Sequence, residues 1–258
     1  MALYTIVRKM AAERSDKPVL IIQNIPREGP GILGQVLDSR GIKSRIVHLN
    51  SGDLLPRLEI PRLENFGAII ILGGPDSAND DTPKMGVELG AARRCLNENI
   101  PYLGICLGMQ ILVEAAGGEV VQNSFREIGL TDPEGTPYKV TLTEAGRQDP
   151  LFDGLNDDEL PIFHLHGETV VPPHDVTLMA KGNLVPNQIV RVGKNAYGIQ
   201  DHLELTDEML EDWLYDDPWL AQQDTDKIKA QFDLIKAQYT QTALTLFTNF
   251  LRVAQLID

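Results

Sequence analysis

Gly104-Ile105-Cys106-Leu107-Gly108-Met109-Gln110 places a cysteine between two glycines where a short apolar run gives way to a helical pattern. Glycine on either side allows a tight turn and keeps side chains away from the sulfur, as in a nucleophile elbow. The position also sets the sulfur at a helix N-terminus, where free N–H groups and the helix dipole favour thiolate over thiol. Such a nucleophile needs a base, and five histidines are available. His202 is followed two residues later by Glu204, and residues two apart in an extended chain share a face, so the carboxylate can orient the imidazole. Thiol, imidazole and carboxylate form a set suited to covalent catalysis. Cys95, the second cysteine, sits in the helical pattern AARRCLNEN without glycine support and is expected to pack.

His164 and His166 are also two apart on an expected strand, which raises the question of a metal. Two histidines supply half a zinc site, and no cysteine or carboxylate cluster of ligand spacing accompanies them. No metal and no organic cofactor are therefore expected, and His164 is assigned to packing. Gly73-Gly74-Pro75 follows an apolar run, so its glycines can bring backbone N–H groups close to a ligand. A nucleotide-phosphate loop is rejected there: Pro75 removes one N–H from the cradle, and the chain has no Walker-type lysine loop.

The elements that must hold these groups alternate. Short buried runs at 18–22, 44–49, 67–72 and 101–105 read as strands, and 31–38, 87–97 and 107–116 read as helices. That alternation predicts an α/β protein: a flavodoxin-like, doubly wound, mostly parallel sheet with helices on both faces. From 120 the pattern becomes β-rich, with strands expected at 139–143, 161–165, 176–179, 188–192 and 196–200. Helices follow at 207–215 and 226–257, the second with a break expected near 240–242. Residues 1–17 are expected to form an N-terminal extension, and 18–258 a single domain that includes the C-terminal helices.

The chain has 258 residues, 43% of them hydrophobic, and a formal charge of −14. It is long enough to bury a sizeable core. No run of clustered Lys and Arg exists to follow a phosphate backbone, so no nucleic-acid partner is expected. No apolar stretch approaches the ~20 residues of a membrane helix, and the start carries no apolar signal core, so no membrane partner is expected. With two cysteines and no disulfide framework, a reducing cytoplasm is the expected location.

The segments GICLGMQ, Gly198-Ile199-Gln200-Asp201-His202-Leu203-Glu204, ILGGPDS and Phe163-His164-Leu165-His166-Gly167-Glu168-Thr169 occur in an order that resembles the class I, triad-type glutamine amidotransferases. The similarity runs from about 18 to about 205 and is to the GMP-synthase-like branch. It implies that Cys106, His202 and Glu204 form the triad, and that the N–H groups of Gly74 and Leu107 form an oxyanion hole. It further implies that Gln110, His166 and Gly167 contact the substrate, glutamine. The expected activity is release of ammonia from the glutamine side chain for an acceptor on a separate synthase subunit, since no ATP-binding motif follows the triad. Two alternatives stand beside it. One is a γ-glutamyl hydrolase or peptidase of the same fold, although Leu107 replaces the histidine that follows the cysteine in many such peptidases. The other is a weakly active regulatory glutamine-binding domain. The second draws on two departures: Asp201 stands where the family has an aromatic residue, and Leu203 where it has proline. Losing the proline predicts a loosely held strand end and low activity until a partner docks.

Overall fold

A computed structural model describes residues 16–49 and 61–258. The expected N-terminal extension lies outside the described residues except for its last two positions. The chain opens with β1 (Val19–Gln23), α1 (Gly31–Ser39), β2 (Ser44–His48), β3 (Ala68–Ile71), α2 (Pro83–Glu98), β4 (Tyr102–Ile105) and α3 (Leu107–Ala115). It continues through β5 (Glu119–Gly129), β6 (Val140–Leu142), the one-turn α4 (Glu144–Arg147), β7 (Glu159–Leu160), β8 (His164–Val171), β9 (Thr177–Gly182), β10 (Ile189–Val192) and β11 (Ala196–Ile199). Helices α5 (Asp207–Asp216) and α6 (Thr225–Val253) follow.

Nine strands form one sheet in the order β2-β1-β3-β4-β11-β10-β9-β6-β7. The first five are mutually parallel and the rest are antiparallel. The doubly wound α/β fold expected from the alternation is thus present, with the β-rich second half extending the same sheet. Alternation along β1 explains the layers. Val19 and Ile21 face a core shared with α1, α5 and α6, whereas Leu20 and Ile22 face a second core built on α2 and α3. Both faces of β1, β3, β4 and β11 are covered, which is why they read as apolar runs, whereas the edge strand β2 is largely exposed.

Two expectations are corrected. Residues 119–129 form an eleven-residue strand where none was expected. It pairs antiparallel with β8 in a separate two-stranded ribbon, and the register shifts between Gln122 and Glu127. That irregularity erases the alternation by which a strand is recognised. In addition, α6 runs unbroken for 29 residues. Thr242, at the expected break, is buried with Tyr239, Ala243 and Leu246, so packing against the sheet outweighs the low helix propensity of threonine.

Local signals set the helix ends. Thr82 caps α2 by accepting from the Met85 N–H, with Pro83 at the first helical position and Asn99 in the left-handed region at the other end. Thr206 and Asp224 cap α5 and α6 in the same way. Helix α1 lacks a side-chain cap, and the Glu204 carbonyl accepts its Ile32 N–H at 2.8 Å instead. Among the described residues no helix is long and apolar enough to cross a membrane.

On the inner side of α2, Glu88 is fully buried and neither of its carboxylate oxygens has a hydrogen-bond partner. Burial pushes its carboxyl up to about 7, against the opposing charge of Lys84. Between the ordinary carboxylate range and pH 7 the unfolded chain therefore ionises at this position while the folded chain keeps its proton. The stability contribution is complete below about pH 4.3 and is lost as pH rises towards 7. Glu88→Gln should remove this dependence. From urea midpoints at pH 5 and pH 7.5, wild type should lose about 2–4 kcal/mol more than the variant over that interval.

Candidate active site

The site lies where open α/β sheets bind ligands, outside the C-terminal ends of the parallel strands. Loops leaving β1, β3, β4 and β11 meet there. Register brings the last two together: Ile105 of β4 pairs with Ile199 of β11, and the Cys106 N–H donates to the Ile199 carbonyl at 2.7 Å.

Cys106 caps α3 with φ 50° and ψ −106°, a conformation that residues with a Cβ rarely adopt. The flanking glycines allow close approach of backbones. A methyl group on Gly104 would overlap the Gly108 carbonyl, and one on Gly108 would overlap the Ile71 carbonyl. Leu107 is the first residue of α3, so its N–H has no intrahelical acceptor. The glycine loop after β3 packs against this turn. A methyl on Gly74 would stand 3.4 Å from Leu107 Cδ2 and 2.6 Å from Asn24 Cβ. At Gly73, the other glycine of that turn, a methyl would overlap Glu28 and press on the His202 ring.

His202 Nδ1 is 2.8 Å from Glu204 Oε1, and both residues are buried. The imidazole stands edge-on to the Trp213 indole, with ring centroids 4.7 Å apart, and it flanks Gly73 together with Cys106, whose thiol donates to the Leu165 carbonyl at 3.9 Å. Burial alone would lower the pKa of His202, but Glu204 and Cys106 together raise it well above its ordinary value. Burial pushes the Cys106 thiol up by more than the neighbouring His202 pulls it down. Cys95 is pushed further, to about 12, chiefly by burial.

The expectation of a loosely held strand end around Leu203 is not met. The His202 N–H donates to the Phe163 carbonyl at 2.9 Å, and the Tyr239 hydroxyl donates to the His202 carbonyl. The Glu204 carbonyl caps α1, and Leu203 itself is buried in the core. Three elements distant in sequence supply what a proline would have supplied locally.

Gly74, Cys106, Gln110, His166 and Gly167 line one cavity of about 430 Å³. Gln110 Nε2 lies 3.4 Å from the Glu168 carbonyl and from Gln200 Oε1, and Gln200 Nε2 in turn reaches Cys106 Sγ at 3.7 Å. Charged groups that sequence reasoning missed complete the wall. Arg27 pairs with Asp217 at 2.7 Å, and Arg126 stacks over the Trp219 ring at 4.2 Å. Glu28 is buried beside Gly73, and burial pushes its carboxyl up. None of these lies in a local motif. Only the position of Glu28 just beyond the C-terminal end of β1 could have drawn attention to it.

The assignment of His164 to packing, with no carboxylate near the two histidines, is corrected as well. Glu127 Oε2 is 3.0 Å from His166 Nε2, and Asp201 Oδ1 is 2.8 Å from His164 Nδ1. As strand alternation predicts, Asp201 faces away from His202. The carboxylates come from 37 residues on either side of His164, so no ligand spacing could reveal them.

The structure thus sets a cysteine on a strained strand-to-helix turn, and a histidine held by a glutamate, at one edge of a doubly wound sheet. The model of the Glutamine amidotransferase class-I family matches residues 32–216, and the chain belongs to that family. It is 30% identical over 191 residues to the glutamine amidotransferase-like protein YfeJ of Salmonella typhimurium, covering 71% of this chain and 74% of that protein. It is 32% identical to the glutamine-hydrolyzing GMP synthase of Edwardsiella ictaluri over 55% of this chain, a match that takes in only 26% of that enzyme. Among solved structures, a glutamine amidotransferase from Methylobacillus flagellatus superposes with a TM-score of 0.78 at 26% identity, covering 92% of this chain and 95% of the other. One from Thermotoga maritima gives 0.77 at 22% identity, covering 93% and 98%, which is a likeness of fold.

The grip of α6 on the strand end can be measured. Tyr239→Phe leaves the buried His202 carbonyl without its donor and should cost about 1–3 kcal/mol in urea unfolding. The near-ultraviolet signal of Trp213, which packs on the His202 ring, should change with it.

Proposed function

We propose that this chain hydrolyses the side-chain amide of glutamine through Cys106, His202 and Glu204 and releases ammonia to an acceptor held by a separate synthase subunit. The observation that carries the reading is the strained Cys106 turn on the wall of a cavity that bears both signs of charge, with the buried His202–Glu204 pair beside it across Gly73. A zwitterionic amino acid needs both signs: Arg27 and Arg126 can face its carboxylate, and Glu28, Glu168 and Asp217 its ammonium.

The chemistry then follows from the groups present. His202 takes the Cys106 proton as Sγ attacks the amide carbon, and Glu204 stabilises the imidazolium that forms. The N–H groups of Gly74 and Leu107 hold the oxyanion, a contribution of about 3 kcal/mol per donor in comparable sites. Collapse breaks the C–N bond, and His202 returns the proton to the departing ammonia. Water, deprotonated by His202, hydrolyses the thioester, giving glutamate and the restored thiol. Gln110, His166 and Gly167 position the substrate. None of these steps uses a cofactor. Two free thiols suit a reducing compartment, and the cytoplasm is the proposed location.

Release of ammonia from glutamine by the purified chain tests the reading. Cys106→Ala and His202→Ala should each abolish turnover with the fold intact. Glu204→Gln should cost less, because the proton carrier remains. A diazoketone analogue of glutamine should label Cys106 and leave Cys95 untouched. Labelling of Cys95, or wild-type turnover by the Cys106 variant, overturns the assignment.

A further inference from the structure

Beside the cavity, on the face of the strand end opposite His202, Asp201 approaches a buried cluster of Glu127, His164 and His166, of which the proposed chemistry uses only His166. We propose that Glu127, His164 and His166, with Asp201 as fourth ligand, bind one divalent transition-metal ion, of which Zn²⁺ is the reference.

Distances come first. His164 Nδ1 and His166 Nε2 are 3.2 Å apart, Glu127 Oε2 is 3.0 Å from the latter and 3.6 Å from the former, and all three atoms share one 4.8 Å neighbourhood. Zinc binds imidazole nitrogen and carboxylate oxygen at about 2.0–2.2 Å, which puts tetrahedral ligands roughly 3.3 Å from one another. The three observed edges bracket that value, and an ion slightly out of their plane would sit about 2 Å from each atom.

The direction of the lone pairs agrees. His166 Nδ1 is 3.0 Å from the Glu168 backbone carbonyl, which can only accept, so Nδ1 carries the hydrogen. Asn123 also reaches that nitrogen, at 3.3 Å, but an amide can turn its oxygen to the same hydrogen. The lone pair of Nε2 therefore points inward at Glu127. A ligating histidine whose other nitrogen is fixed by a carbonyl is the usual outer arrangement of a metal site. Gln188, donating to Glu127 Oε2 at 2.9 Å, fixes the carboxylate in the same manner.

Asp201 is the independent observation. It is wholly buried, and neither of its oxygens has a hydrogen-bond partner, although Oδ1 lies 2.8 Å from His164 Nδ1. Close approach without hydrogen-bond alignment is what atoms show when they face a shared cation rather than each other. Among the described residues, Glu127 and Asp201 have ion-pair partners only in these two histidines. Two buried carboxylates without a lysine or arginine need two positive charges, and one divalent ion supplies them. Asp201 stands where the resembling family has an aromatic residue. Bound there, the ion would tie the β5–β8 ribbon, which supplies His166 to the cavity, to the strand end that carries His202.

The test uses the whole chain. After expression in zinc-supplemented medium, elemental analysis should give one zinc per chain. After chelation and dialysis, Co²⁺ should restore one equivalent with the intense visible d–d bands of a tetrahedral site. Glu127→Gln with Asp201→Asn preserves shape and should weaken Co²⁺ binding at least a hundredfold, whereas Cys106→Ser should leave it unchanged. If wild type takes up no stoichiometric metal, or its Co²⁺ form lacks those bands, protons alone hold the cluster and the proposal is wrong. It is equally wrong if uptake survives the double variant or disappears in Cys106→Ser, which would place the ion in the catalytic cavity. Should the double variant fail to fold, the wild-type Co²⁺ spectrum and its persistence in Cys106→Ser decide the matter.

Discussion

Everything at the site depends on the parallel pairing of β4 with β11. These strands lie far apart in the sequence, Tyr102–Ile105 against Ala196–Ile199, yet they end level, with the Cys106 N–H bonded to the Ile199 carbonyl. Because a parallel pair delivers both C-termini to the same edge of the sheet, a thiol on one loop meets an imidazole on the other without any specific long connection. The strained Cys106 backbone is tolerable for the same reason. Its position is over-determined by the β4–β11 ladder, by the close packing that glycine permits at 104 and 108, and by a helix buried from Leu107 to Val113.

Around that pairing the molecule compensates for local weaknesses with distant groups. Helix α1 has no capping side chain and takes its acceptor from Glu204, so the residue that orients the histidine also terminates a helix. Gly31 belongs to this device, since any side chain there would strike the Glu204 carbonyl. Trp213 shows the same economy: its ring packs on His202 while its indole N–H donates to the Arg27 carbonyl at 2.8 Å, fixing the loop that bears Glu28.

What could be read from the amino-acid order was whatever is local. The G-x-C-x-G elbow, the H-x-E pair and the glycine turn after β3 are short, and their geometry follows from turn sterics and strand periodicity. The alternating first half was legible because buried parallel strands leave unbroken apolar runs. Strand β5 was not, because its register shift and polar residues such as Gln122, Asn123 and Arg126 hide the alternation. Continuity of α6 through Thr242 was not legible either, since tertiary packing decides it. The environment of His164 and His166, and the hydrogen bonds that replace the missing proline, join residues tens of positions apart. Such contacts exist only once the sheet has formed.

The bond from Tyr239 to the backbone of His202 bears on how the protein is made. A ribosome delivers the thiol first, the imidazole nearly a hundred residues later, and the helix that steadies the imidazole later still. Until α6 has left the exit tunnel and docked, the nascent chain holds a cysteine and a histidine but not the clasp that keeps the histidine in place. Fragments whose translation stops before Tyr239 therefore lack that clasp, and their histidine is held by the strand end alone.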